Sequence, residues 1–166
     1  MKKFSQVHYA VAPLRTIPRK LNRLARAEPA RRGLLVEAVF WLLLARLALL
    51  AIPFPLLARR FGRFVPPQNS GTRALSQTGQ IEAAEKVGWA VTRAANHVPF
   101  RAVCLPQAIA AKAMLSRRGV KSVLHFGAAK GDEEKPLATH AWLDAAGVEV
   151  TGYPVAHQFV EIGCFV

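Results

Sequence analysis

Apolar residues follow three rhythms along this chain, and each predicts a different kind of element. From 34 to 52 nearly every position is apolar, with only Glu37 and Arg46 charged. So long a run without alternation predicts a helix that is apolar nearly all round. Glu37 and Arg46 are nine positions apart, which places them on opposite sides of an ideal helix. Pro53 and Pro55 stop it. A membrane span needs roughly 20 apolar residues. Here the longest charge-free run, 47–58, is interrupted by prolines. Arg46 would sit near mid-span, at a cost of about 2.5–3.5 kcal/mol. The segment is therefore read as a helix buried against other helices, with peripheral membrane contact as the alternative.

The second rhythm begins after a polar linker, 65–78. Ile81, Ala84, Val87, Val91, Ala94 and Val98 recur at steps of three and four, which predicts an amphipathic helix over 79–97, ended by Pro99. Another helix begins at Cys104. Pro106 suits its first turn, where no amide donor is needed. Lys112, Arg117 and Arg118 suit its C-terminal dipole, and Gly119 is the expected left-handed residue beyond its end.

The third rhythm is alternation. Strands are predicted at 122–128, 138–144 and 148–153, with a charged loop at 129–136 and a short last strand at 158–162. Ala145-Ala146-Gly147 reads as a three-residue hairpin loop with the glycine left-handed. Helices first and a small antiparallel sheet second make an α+β fold. Residues 1–33 are basic and broken by Pro13, Pro18 and Pro29, which predicts short, loosely packed helical turns, with Gly33 ending the segment. The chain thus divides into a basic and apolar helical N-terminal region with linker, 1–78, and a core, 79–166.

Charge changes this picture in one respect. The net charge of +13 in 166 residues favours anionic partners. The arginines crowd the first third, but no aromatic residues interleave with them to stack bases, so nucleic acid is not an expected partner. Two cysteines make no disulfide framework, and the first eight residues lack the apolar core of a signal peptide. A cytoplasmic setting is expected, with membrane association as its possible refinement.

One constellation carries chemistry. Cys104 stands at a helix start, where the dipole favours the thiolate. His140 stands at a strand start, from which an imidazole can serve as its base. The amide near the cysteine is placed to bind an oxyanion, and Asn96 or His97 could add a donor, though both also suit a helix end. His125, His157 and Cys164 are read as ordinary strand, loop and apolar residues. Without a Cys-x-x-Cys or His-x-x-x-His pair no metal is expected, and without a glycine-rich loop no nucleotide cofactor.

The order of a helix-start cysteine and a strand-start histidine is the logic of papain-like and transglutaminase-like folds. The stretches 99–108 (with Cys104-Leu105-Pro106), 115–120 and 140–143 (with His140-Ala141-Trp142) resemble the transglutaminase-like B proteins of lasso-peptide biosynthesis. The likeness is closest to the stand-alone leader peptidase of systems that split the B function over two chains. It covers the chain from about residue 33 onward, and 34–60 is similar to the N-terminal region of those proteins. The resemblance implies a cysteine peptidase with Cys104 as nucleophile and His140 as its partner. Its substrate would be the leader of a ribosomally made precursor. The implied partners are that precursor, a separate leader-recognition protein (no winged-helix recognition domain is legible in the first hundred residues) and an ATP-dependent macrolactam-forming cyclase.

One position departs from the family pattern. The family places an aspartate twelve residues after the histidine, and here that residue is Gly152. A three-residue hairpin loop would set Asp144 opposite Val148, Trp142 opposite Val150 and His140 opposite Gly152. Asp144 lies about 13 Å from His140 along the strand, and Glu149 and Thr151 point to the other face. A water, a backbone carbonyl or a plain Cys–His dyad would have to replace the third group. On this reading an aspartate placed at 152 restores a triad. Two other functions compete: an amine acyl transferase on the same fold, and a non-enzymatic basic protein binding nucleic acid or a membrane surface.

Overall fold

The Ala-rich helix that begins at Cys104 is the axle of the molecule. The computed structural model describes residues 29–67, 78–131 and 136–166. The turns expected in 1–28 and most of the expected linker, 68–77, lie outside the described residues. In chain order the elements are α1 (Pro29–Ala51), α2 (Phe54–Ala58), β1 (Phe64–Val65), α3 (Thr78–Ala95), α4 (Cys104–Ser116), β2 (Ser122–Lys130), β3 (Leu137–Ala145), β4 (Val148–Thr151), a 3-10 turn (Val155–Gln158) and β5 (Val160–Phe165). The five strands form one antiparallel sheet in the order β1-β5-β2-β3-β4. The fold is α+β, as the pattern predicted.

α4 packs against α1, α3, β2, β3 and β4. Ala108, Ala110, Ala111, Met114 and Leu115 are completely buried, because small side chains let neighbours approach on every side. Val103, extended at φ −76°, precedes the first turn, and Pro106 sits inside it. At the other end Gly119 takes φ +68°, and the Val120 amide donates to the Leu115 carbonyl at 3.0 Å, a Schellman closure. Arg118 reaches across to α1 and donates to both Glu37 oxygens, at 2.6 and 3.1 Å.

Several boundaries differ from the pattern. α1 starts at Pro29, not 34, because proline is favoured in a first helical turn and the helix carries through Gly33. It is buried on one face only: Leu35, Ala38, Leu42 and Ala45 face the core, while Val36, Phe40 and Leu50 are exposed. Val65, placed in the linker by its prolines, pairs with Cys164 instead. The last strand lies at Val160–Phe165, after a 3-10 turn.

The β3–β4 hairpin has a two-residue loop, not three. Ala146 (φ 52°) and Gly147 (φ 77°) are both left-handed, so Ala145 pairs with Val148 and Asp144 with Glu149. A bulge then shifts the register, and Leu143 pairs with Thr151. The expected pairing of Asp144 with Val148 is thus replaced. The register after the bulge sets Gly152 opposite Trp142 and not His140, and only the Gly152 carbonyl reaches His140.

Candidate active site at the start of α4

Cys104 opens α4 and is partly buried. His140 lies on β3, directly opposite Gly127 of β2. The two side chains lie close enough that each shifts the other's ionisation. His140 Nε2 is 2.8 Å from the Gly152 carbonyl. A carbonyl only accepts, so Nε2 carries the proton and Nδ1 is left to face the thiol.

The ring is also held by stacking. Phe159 lies 5.0 Å from it and Trp142 6.2 Å, both near parallel. Gly127 makes this possible: a Cβ there would fall 2.7 Å from the Trp142 ring and 3.0 Å from Phe159.

The electrostatics favour an ion pair. Burial opposes ionisation of Cys104. The hydrogen bond to His140, the Ala141 amide, the charge of His140 and the Leu105 amide outweigh it, so the thiol lies below its ordinary pKa. Burial likewise disfavours the His140 imidazolium. The Cys104 hydrogen bond, the Gly152 carbonyl and the thiolate charge raise its pKa nonetheless. Both shifts stabilise thiolate and imidazolium together, the state in which a thiol attacks and an acid stands ready. Iodoacetamide is therefore expected to label Cys104 at least about tenfold faster than Cys164. Cys164 is fully buried, and its pKa is pushed up by that burial and by Glu161. Equal labelling of the two thiols in a peptide-mass time course would contradict this electrostatic account.

Of the two extra donors considered, His97 is occupied: its Nδ1 is 2.8 Å from the Arg93 carbonyl, where it terminates α3. Asn96 lines a groove of about 520 Å³ between α3 and β4, with Trp89, Thr92, Arg93 and Glu149. The strand leads from this groove to Gly152, two residues past Val150 or about 7 Å.

A domain profile described as the transglutaminase-like superfamily matches residues 48–163, more than two thirds of the chain. The chain belongs to the transglutaminase-like superfamily. No curated protein and no solved structure matches it. Members of the superfamily are typically cysteine-dependent enzymes, and the helix-start thiol paired with a strand histidine belongs to the matched region.

The sequence reading missed a second polar cluster beside this site. His125 is buried, with Nδ1 3.0 Å from Glu161 and Nε2 3.3 Å from Asp144. Tyr153 donates to Asp144 at 2.6 Å. The His125 ring stacks on the face of Trp142 at 5.4 Å. His125 thus carries more contacts than an ordinary strand residue, while Cys164 is fully buried in the apolar core as expected; His125, Glu161 and Cys164 bring ligand atoms within 4.8 Å of one another. The carboxylates already bind both His125 nitrogens, so the cluster is satisfied without a metal. His157, by contrast, is an exposed residue 3.4 Å from Glu149.

Burial disfavours the charged His125, but the hydrogen bonds to Asp144 and Glu161 and their charges raise its pKa. A raised folded value means that its stabilisation is complete below about pH 6.5, the unfolded value. It is lost as pH climbs through the folded value. His125→Gln is expected to cost about 2–3 kcal/mol at pH 6, less than outright loss of a buried pair because Asp144 is partly solvated. Its urea midpoint should also vary less with pH than that of the parent. Parallel pH profiles for the two proteins would rule the ion pair out.

Proposed function

We propose that this protein is a cysteine peptidase that removes the leader from a ribosomally synthesised lasso-peptide precursor. The observation that carries the reading is the Cys104 thiol at the start of α4, beside a histidine whose Nε2 is fixed by the Gly152 carbonyl and whose presence lowers the thiol's pKa. In this mechanism the Cys104 thiolate attacks the scissile carbonyl, and the oxyanion is met by the amides at the start of α4. The His140 imidazolium gives its Nδ1 proton to the departing amine, which leaves a thioester. Neutral His140 then takes a proton from water, hydroxide attacks the thioester, and the thiolate is released with the carboxylic acid. The Gly152 carbonyl orients the imidazole and supports its charge, as a carboxylate does in a triad, though with a dipole in place of a full charge.

The substrate assignment is supported by the Cys-Leu-Pro and His-Ala-Trp contexts and by the groove between α3 and β4, whose mixed lining suits an extended peptide. A separate recognition protein delivers the leader in this scheme, and an ATP-dependent cyclase consumes the freed core peptide. The test is cleavage of the precursor, followed by mass spectrometry. The chain alone should cut slowly, and the recognition protein should raise the rate by raising the local leader concentration. A hydrolysed product supports peptidase chemistry, whereas a product joined to an added amine would identify acyl transfer from the same thioester. No cleavage with or without the recognition protein would remove the lasso assignment.

A further inference from the structure

α1 is packed on one side and bare on the other. Leu35, Ala38, Leu42 and Ala45 lie under α3 and α4. On the opposite side Val36, Val39, Phe40, Leu43, Leu47 and Leu50 are 42–70% exposed. At 100° per residue these six fall within one stripe that runs from Val36 to Leu50, about 21 Å along the helix. An apolar face of this extent on a folded protein marks an interaction surface.

The charges around it select the occupant. Between residues 29 and 67 the chain carries Arg31, Arg32, Arg46, Arg59, Arg60 and Arg63 against a single acid, Glu37. Glu37 is turned away to Arg118 at 2.6 Å. Arg46 sits about 80° round the helix from Val36, at the margin of the stripe. Arg59, Arg60 and Arg63 are exposed just beyond its C-terminal end. Arg31 is engaged with Trp89, so the charges that edge the stripe are Arg46 and the Arg59–Arg63 group; a second copy of the face would add the same positive charges to one surface, and Glu37 is already committed to Arg118. Residues Ala30–Ala51 are long and apolar enough to cross a membrane, but spanning would strip the packed side, Leu35, Ala38 and Leu42, from the protein core. An apolar stripe edged by arginine is complementary to an anionic lipid surface, where apolar side chains enter the acyl boundary and guanidinium groups stay among the phosphates.

We propose that α1 lies flat on an anionic bilayer through this stripe, mooring the protein peripherally. The proposal is independent of the peptidase reading, since its readout is binding rather than cleavage. The full chain is sedimented with vesicles of phosphatidylcholine alone or mixed with phosphatidylglycerol. Binding is expected to be at least about tenfold stronger to the anionic vesicles and to weaken as salt rises. Leu43→Gln with Leu47→Gln should lower it about tenfold or more, while the helical circular dichroism and the Cys104 alkylation rate stay unchanged. Arg59→Glu with Arg60→Glu, outside α1, should lower it too. Absence of binding to anionic vesicles would overturn the proposal. So would undiminished binding of the leucine variant, which would assign attachment to basic charge elsewhere. A dimer broken by the same leucine changes, with vesicles ignored, would make the face a protein interface and overturn it equally.

Discussion

Cys104→Ala is expected to abolish precursor cleavage, and His140→Ala to lower kcat/KM by about 10⁴-fold or more. In the proposed mechanism the two side chains act as one unit, so the double variant should be no worse than Cys104→Ala. Their readouts separate in a second assay. In His140→Ala the thiol loses its hydrogen bond and the neighbouring positive charge, and keeps only the Ala141 and Leu105 amides against burial. Its pKa must rise, so alkylation of Cys104 at neutral pH should slow as well. The neutral cavity left by the imidazole costs little stability at a half-buried position, so the variant should still unfold cooperatively in urea. Cleavage within tenfold of the parent in either variant would sink the assignment of that residue. Slow cleavage with unchanged alkylation in His140→Ala would mean that the histidine acts on the leaving group alone.

Most of the site's scaffold could be read from the chain because it is written in local punctuation. Pro106 and Gly119 bracket α4, and the period changes to alternation soon after, so the thiol at a helix start and the histidine on a strand are both consequences of short-range sequence. What escaped depends on contacts between distant segments. Both sides of α1 are apolar, and only the placement of α3 and α4 decides which side is buried. The His125 cluster needs Glu161, thirty-six residues away, brought in by a strand pairing that carries its own register shift. The hairpin departs from the three-residue loop its sequence predicts because Ala146 takes a left-handed position, φ 52°, that alanine rarely adopts. That choice shortens the loop by one residue, and the bulge in β4 then moves the register one step further in the same direction. Gly152 therefore stands opposite Trp142 instead of His140, and meets the imidazole only through its carbonyl.

This last point reverses one expectation drawn from the sequence. Gly152→Asp is expected to destabilise the fold by roughly 2–6 kcal/mol and to reduce cleavage, not to restore a triad. Gly152 holds φ +92°, a conformation that costs a side-chain-bearing residue about 1–3 kcal/mol. A Cβ built there stands 2.6 Å from Trp142 Cβ and 2.9 Å from both Trp142 Cα and the Ala141 carbonyl oxygen. Two of these three are backbone atoms, which cannot swing away like the end of a long side chain, so overpacking adds about 1–3 kcal/mol more. Relief requires Gly152 to move, and with it the carbonyl that fixes His140 Nε2. The imidazole then loses the partner that sets its tautomer, and a new carboxylate pointing at Trp142 does not replace it. Gly152→Ala separates backbone from charge: it carries the same clash without a carboxylate, so both variants should show lowered urea midpoints and slowed Cys104 alkylation. A Gly152→Asp protein as stable as its parent, with cleavage equal or faster, would show that the strand opens to admit the side chain and that the vacant triad position is functional after all.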